Sequence, residues 1–348
     1  MSCAQQGDRG YLCVDEFMRD AVSARALKSA FELGLVDLLS DRATLTQAEL
    51  GACAKTDQRG MLLLTGLLRA SGVIEEAGTG FRLAEPFRTA LRYRDLIEAK
   101  LDFAAAVAPD FLDLFTVLLT DPAGFFERAR LFDLFSYDRC FESTPENLAA
   151  TSGWMRYTTV LTRYESAACI ATHDFSRHGR MLDVGGNSGE FALRICRSQP
   201  ALRATIFDLP VVCEIGERHV GSQPEAGRID FAKVVRGGGP YPDGYDLVTF
   251  KSMLHDWPDE PMQQFLSRAY DALLPGGTLL IFERSLVEIF ERPVAYVQIP
   301  LLLFFRAYRV AGDYRQPLAN AGFIGIEIKS VALDMPFMLI TAKKPAAP

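Results

Sequence analysis

Positive charge is in short supply in this chain: 37 Lys and Arg face 44 Asp and Glu, for a formal net charge of −7 at pH 7. Broad electrostatic binding to nucleic acid or to an anionic membrane surface is thereby disfavoured. Long apolar runs are missing too, none approaching the roughly 18 residues of a membrane span, and the stretch MSCAQQGDRGYL lacks the charged-then-apolar order of a signal peptide. A cytoplasmic protein without a membrane or nucleic-acid partner is expected. The seven cysteines, at positions 3, 13, 53, 140, 169, 196 and 213, include no C-x-x-C pair. Their odd number and scatter fit reduced core thiols rather than a disulfide framework or a zinc site. Histidine is scarce, with four in 348 residues, and no cluster of carboxylates and histidines has ligand spacing, so no metal is expected. Neither the G-x-G-x-x-G of a dinucleotide loop in its usual spacing nor the G-x-x-x-x-G-K-[ST] of a triphosphate loop occurs.

What is present is an ordinary globular composition, 49% hydrophobic and 23% charged, on a chain long enough for two domains. Residues 1–150 read as mostly helical. Apolar residues at helical spacing run through FMRDAVSARALKSAFELGLVDLL (17–39), with Gly34 as an interruption or early stop. Thr46 and Glu49 in TLTQAEL make a capping box, a second short helix begins near Thr56, and GVIEEAGTGFRL (72–83) reads as two strands around Gly78-Thr79-Gly80. Helix, helix and hairpin make a winged-helix pattern. Its second helix carries only Arg59 and Arg69 as basic residues, offset by Asp57, Glu75 and Glu76, too few for a DNA reader. Burial or a dimer seam is the better account, both here and for the Phe-, Leu- and Ala-rich stretch 95–135. Residues 151–178 read as a connecting helix.

From residue 179 to 348 short apolar strands alternate with helices: RMLDVGG, RATIFDLP, IDFAKVV, YDLVTFKSML and GGTLLIFERS. This predicts an α/β fold with a doubly wound, Rossmann-like parallel sheet. Ligands then bind beyond the carboxyl ends of the strands, near Gly185, Asp208, Lys251 to His255, and Glu283. In LDVGGNSGEFALRI, the glycines Gly185, Gly186 and Gly189 let the backbone approach a ligand at a helix start. Asn187 and Ser188 are expected to cap that helix. Asp208, closing the second of these strands, can take both hydroxyls of a ribose. With the phosphate-loop spacings missing, a nucleoside without a phosphate chain is favoured, and S-adenosylmethionine is the commonest of these. A histidine of near-neutral pKa at position 255 suits proton abstraction from a hydroxyl, with Glu283 to fix its tautomer. His173, His178 and His219 lie in contexts without partner acids and read as solvated.

Two stretches in order, LDVGGNSGEFALRICRSQPALRATIFDLPVV and DLVTFKSMLHDWPDEPMQQFLSRAYDALLPGGTLLIFERS, resemble the S-adenosylmethionine-dependent O-methyltransferases of the caffeate, hydroxyindole and bacterial polyketide-tailoring type. The resemblance covers residues 180–345 strongly, and it implies a homodimer whose first domain lends residues to the substrate pocket. It further implies that Asp183, Gly185, Gly186 and Gly189 line the methionine and ribose side of the cofactor, that Asp208 with Leu209 holds ribose and adenine, and that Lys251 lies beside it. His255 is the implied base, Asp256 accompanies it, and Glu283 is the first of two acids that orient it. A flat hydrophobic small-molecule acceptor is expected against Trp154, Met155, Trp257, Phe304 and Tyr308, with Phe135, Phe141 and Phe305 nearby.

Two departures from the family pattern bear on the site. In VVRGGGPYPDGYD, Gly238 stands where the resemblance expects an adenine-reading acid, which leaves adenine to backbone groups of Gly237 and Gly238 or to Arg236 stacking on the ring. Tyr308 stands where the second histidine-orienting acid is expected, with Arg309 retained; its hydroxyl can hydrogen-bond but brings no negative charge. The expected reaction is O-methylation of an aromatic or polyketide-like hydroxyl. The alternative is a carbon methyltransferase of the same fold, or a cofactor-retaining homologue with altered or lost methyl transfer.

Overall fold

The computed structural model describes residues 9–288, 290 and 293–347, so that Cys3 lies outside the described residues. Two compact units divide the chain, one of residues 10–130 with 290 and 293–303, the other of residues 131–288 with 9 and 304–347. This differs from the expected boundaries at 150 and 178. Residues 131–150 belong with the sheet because Cys140, Leu134, Phe135 and Tyr137 pack in one apolar cluster with Trp154, Met155, Val211 and Val212. Residues 293–303 return to the helical unit, where the Tyr296 N–H donates to the Arg19 carbonyl at 2.7 Å.

The helical unit runs α1 (Ala21–Glu32), α2 (Leu35–Asp41), α3 (Gln47–Ala54), α4 (Gln58–Ala70), the hairpin β1 (Ile74–Ala77) and β2 (Gly80–Leu83), α5 (Glu85–Ala90), α6 (Arg94–Thr120) and α7 (Pro122–Arg128). Gly34, at φ +69°, stops α1 and starts α2. The capping box forms as read: the Thr46 N–H donates to Glu49 Oε2 at 2.7 Å and the Glu49 N–H to Thr46 Oγ1 at 3.3 Å. Arg69 pairs with Glu76, and Arg82 with Glu75 across the hairpin. Among the described residues one helix, within 85–120, is by length and composition apolar enough to cross a membrane, which the sequence reading did not pick out. Within this unit its first half buries Leu96, Ile97, Leu101 and Val107, its buried Lys100 pairs with Asp15 at 2.7 Å, and its Asp102 pairs with Lys28. Towards its C-terminus Leu112, Phe115 and Leu119, spaced by helical turns, stay exposed.

After α8 (Arg130–Leu134), the long helix α9 (Pro145–Thr172) leads into the sheet unit; the Thr144 hydroxyl starts it by accepting the Asn147 N–H. The order is then β3 (Arg180–Val184), α10 (Glu190–Ser198), β4 (Arg203–Asp208), α11 (Pro210–Gly221), β5 (Ile229–Lys233), β6 (Tyr245–Lys251), α12 (Asp259–Ala272) and β7 (Leu273–Arg284). The chain visits the helical unit for α13 (Ile299–Leu303) and returns for α14 (Arg315–Asn320), β8 (Ile324–Ala332) and β9 (Pro336–Lys343). Seven strands pair in the order β5-β4-β3-β6-β7-β9-β8, parallel through β7 and antiparallel beyond it. The expected five parallel strands are present; β8 and β9 were not read from the sequence. Alternate residues serve opposite faces: Leu182, Val248 and Ile281 pack on one side, Met181, Leu247 and Phe282 on the other. Burial on both sides is why these strands read as unbroken apolar runs. The strand order reverses between β3 and β6, which places a crevice at their carboxyl ends.

The described cysteines are all free, with Cys140, Cys169, Cys196 and Cys213 buried. Helix α11 lies close on β5: a Cβ on Gly216 would come 2.5 Å from the Phe231 ring and 3.2 Å from the Asn187 carbonyl oxygen. Gly216→Ala is therefore expected to destabilise the fold by about 1–3 kcal/mol through overpacking, read as a lower urea midpoint at unchanged slope. Gly221→Ala at the end of the same helix, where a Cβ meets nothing within 4 Å, is the control and should cause no loss.

Candidate active site

The chain leaves β3 through a left-handed turn at Gly185, φ +66°, whose N–H donates to the Phe207 carbonyl at 2.9 Å. A side chain has no room in this turn: a Cβ on Gly185 would lie 2.5 Å from Met253 Cγ, and one on Gly186 would lie 2.6 Å from Asp183 Oδ2. Gly189, φ +78°, starts α10. Asn187 and Ser188 are not the helix caps expected of them. The Asn187 side chain accepts the Ser188 N–H at 2.7 Å, and the Ser188 hydroxyl is held by Thr159 of α9 at 2.7 Å. They tie the loop to its surroundings, and the N-cap is Gly189 without a side-chain bond.

Two carboxylates face this loop. Asp208, at the end of β4, accepts the Asn187 N–H on Oδ2 at 2.8 Å and the Leu209 N–H on Oδ1 at 2.7 Å. Each oxygen keeps a further lone pair, so the carboxylate is oriented and can still accept two hydroxyls. Burial pushes its pKa up to about 6 against those two donors. Asp183 is fully buried; Oδ1 accepts the Thr249 hydroxyl at 2.7 Å, while Oδ2 has no partner within the protein. Burial pushes it up to about 7.

At the end of β6 the backbone turns at Ser252, φ +50°, into a short 3₁₀ turn, Leu254–Asp256. Neighbouring β7 brings Glu283 underneath it. Glu283 Oε1 accepts the backbone N–H groups of Met253 at 3.0 Å, Leu254 at 2.6 Å and His255 at 3.3 Å, and Oε2 accepts the Tyr314 hydroxyl at 2.6 Å. The turn's carbonyls are held by Arg309, which donates to Leu254 at 3.1 Å and Trp257 at 2.6 Å. Within this frame His255 Nδ1 lies 3.7 Å from Glu283 Oε1, and Nε2 lies 3.3 Å from Asp256 Oδ1. Burial lowers the imidazole pKa, but the two carboxylates prevail and hold it above the ordinary histidine value. Glu283 thus positions the turn more than the ring. Tyr308, read as the stand-in for the second acid, meets His255 edge-on at 5.5 Å, and it is Tyr314 that completes Glu283. Tyr314 carries no motif and was missed.

An aromatic wall continues from this point. Tyr137 donates to Asp256 Oδ2 at 2.7 Å, stacks on Trp257 at 6.3 Å and 23°, and meets Trp154 edge-on at 6.3 Å. Phe135 bridges Trp154, at 5.4 Å, and Phe304, at 5.8 Å. Met155 is buried in the same cluster beside Val211 and Val212, with Leu209 packed against it. Trp154, Met155, Trp257 and Phe304 are thus joined through Phe135 and the unforeseen Tyr137, while Tyr308 meets His255 itself.

The remaining expected residues have partners within the protein. The Lys251 ammonium is held by the Thr162 hydroxyl at 2.9 Å and by Glu165, which also takes Arg284; these two cations hold buried Glu165 well below the usual carboxylate range despite its desolvation. The Arg236 guanidinium lies 4.5 Å over the Phe141 ring. Gly237 and Gly238 form a left-handed pair at φ +88° and +84°, and a Cβ on Gly238 would come 3.3 Å from the Arg268 guanidinium. His219 is bonded to buried Glu190 at 2.6 Å, and His173 Nε2 meets His178 Nε2 at 3.1 Å, with Asp246 3.7 Å from the far side of buried His178. These histidines have partners and are not merely solvated.

Residues 123–324 match the model of the O-methyltransferase domain family. The chain is 37% identical over 182 residues, 51% of each chain, to a 3-hydroxy-5-methyl-1-naphthoate 3-O-methyltransferase of Streptomyces sahachiroi. It is 27% identical over 333 residues, 92% of this chain and 86% of the relative, to an O-demethylpuromycin-O-methyltransferase of Streptomyces alboniger. The chain spans about half the length of the first relatives it matches, 51% and 54%. Among solved structures it is similar in fold to PigF with SAH, at TM-score 0.71 and 23% identity over 92% of this chain and 96% of that one. A second is human N-acetylserotonin methyltransferase in complex with SAM, at TM-score 0.68 and 20% identity over 93% and 94%. With the family model spanning more than half of its residues, the chain belongs to the S-adenosylmethionine-dependent O-methyltransferase family.

Proposed function

We propose that this protein transfers the methyl group of S-adenosylmethionine to a hydroxyl of a flat aromatic small molecule, with His255 as the proton acceptor. One observation carries the reading: the glycine loop and the histidine turn touch, Gly185 lying against Met253, two residues before His255. A ligand in the loop and a base in the turn are thereby brought to one place. The residues fit the cofactor. Asp208 has lone pairs for ribose hydroxyls, and Asp183 Oδ2 and the Ser252 hydroxyl are buried polar atoms with no partner in the protein. When bound, the donor supplies an electrophilic methyl group.

The chain's own residues then have distinct tasks. The aromatic wall of Trp154, Trp257 and Phe304 holds a planar acceptor and excludes water, and fixed placement supplies most of the rate. His255 takes the hydroxyl proton, and the carboxylates of Asp256 and Glu283 stabilise the imidazolium that results. Oxygen as the methylated atom is supported by the O-methyltransferase domain match and by the naphthoate relative's name. The exposed Leu112, Phe115 and Leu119 of α6, with Leu62 and Leu63 of α4, support a homodimer formed through the helical unit.

Four outcomes are expected. Asp208→Ala should weaken S-adenosylmethionine binding at least about tenfold in calorimetric titration, since a charged acceptor of two hydroxyls is lost. His255→Gln should lower methyl transfer to phenolic acceptors by about 10²- to 10⁴-fold while cofactor affinity stays within about twofold; near-normal turnover would remove the base role, and the position of a labelled methyl group reports oxygen or carbon. Because the base must be neutral and its pKa is raised, kcat/KM should climb with pH through a midpoint above the ordinary value of about 6.5. Leu119→Asp should convert a dimer to a monomer by light scattering, and a monomeric wild type at micromolar concentration would refute the dimer.

A further inference from the structure

We infer that Tyr137 is a positioning residue for the base, holding the Asp256 carboxylate so that His255 Nε2 stays open to the acceptor hydroxyl. The inference rests on the reading of His255 given above and goes beyond it, since Tyr137 lies outside every motif of the chain.

The two ring nitrogens of His255 are not equivalent. Nδ1 is buried without a hydrogen-bond partner and faces Glu283 at 3.7 Å. Nε2 faces Asp256, whose side chain is 23% exposed, so Nε2 is the nitrogen an acceptor can reach. Asp256 is also the group most able to block it. A carboxylate beside an imidazolium ordinarily closes to a charge-assisted hydrogen bond of about 2.7–2.9 Å, yet here Oδ1 stands at 3.3 Å. The opposing hold is visible on the other oxygen, where the Tyr137 hydroxyl donates to Oδ2 at 2.7 Å.

Tyr137 can exert that hold because its ring is itself fixed, stacked on Trp257 and set edge-on to Trp154. The wall that receives the acceptor thus also sets the carboxylate. The other groups facing His255 are Glu283 and Arg284 from β7 and the edge of Tyr308. Tyr137 itself acts on His255 through Asp256.

Removing the hydroxyl should let Asp256 close on Nε2, stabilising the protonated ring. In Tyr137→Phe, the His255 pKa followed by histidine NMR is expected to rise by about one pH unit, with the signal assigned by its loss in His255→Gln. The acid limb of kcat/KM should move up with it, and the acceptor KM should rise several-fold at unchanged cofactor affinity. In an Asp256→Asn background, the Tyr137→Phe change should leave the His255 pKa where it is. An unchanged or lowered His255 pKa in folded Tyr137→Phe, or a shift that persists with Asn at 256, overturns the inference. The titration needs no turnover, so failure to methylate any phenol defeats the functional reading separately.

Discussion

The site hangs on one buried carboxylate. Glu283 is entirely inside the protein, beneath the turn that carries His255, and it accepts three backbone N–H groups and the Tyr314 hydroxyl. An isolated carboxylate taken out of water costs several kcal/mol. Hydrogen bonds to a charged group contribute about 1.5–3 kcal/mol each, so four donors are enough to offset that cost. The donors and the His255 charge hold Glu283 below the usual carboxylate range against its desolvation. It therefore remains ionised while fixing the backbone on which the histidine stands.

The same arrangement explains how the chain manages without a second acid at position 308. The residue there is a tyrosine that meets His255 through its ring edge, while Tyr314, six residues on, fills the remaining oxygen of Glu283. Arg309 secures the other side of the turn through the Leu254 and Trp257 carbonyls. Both polar sides of the turn are thus satisfied, which holds its backbone in one geometry.

A second buried charge group joins the elements behind the site. Glu165 of α9 binds Lys251 at the end of β6 and Arg284 at the end of β7, and Asp334 lies 3.8 Å from Arg284. These residues tie the long helix to the strand that leads into the His255 turn and to the strand that brings Glu283 beneath it. Lys251 has the place in sequence of a cofactor contact, and its ammonium here bonds Thr162 and Glu165 of the long helix. A lysine beside a strand end reads the same in either role, because a charge on a flexible stem takes whichever carboxylate the fold brings near.

By itself the sequence determined the repeated strand–helix alternation, the glycine turn after β3, the acid closing β4, and the order of His255 and Glu283. These are local patterns, set by apolar periodicity and by backbone conformations that few residues can adopt. The strands β8 and β9 escaped it because they form the antiparallel end of the sheet, where the alternation with helices that marks a parallel core is broken. Only the tertiary structure decided which groups meet: Tyr137 with Asp256 across 119 positions, Glu165 with Arg284 across another 119, Tyr314 with Glu283, and Arg236 with Phe141. Such pairings leave no trace in spacing, since a hydrogen bond or an ion pair depends on distance in space and on burial, and both arise only when the sheet has closed and its helices have packed.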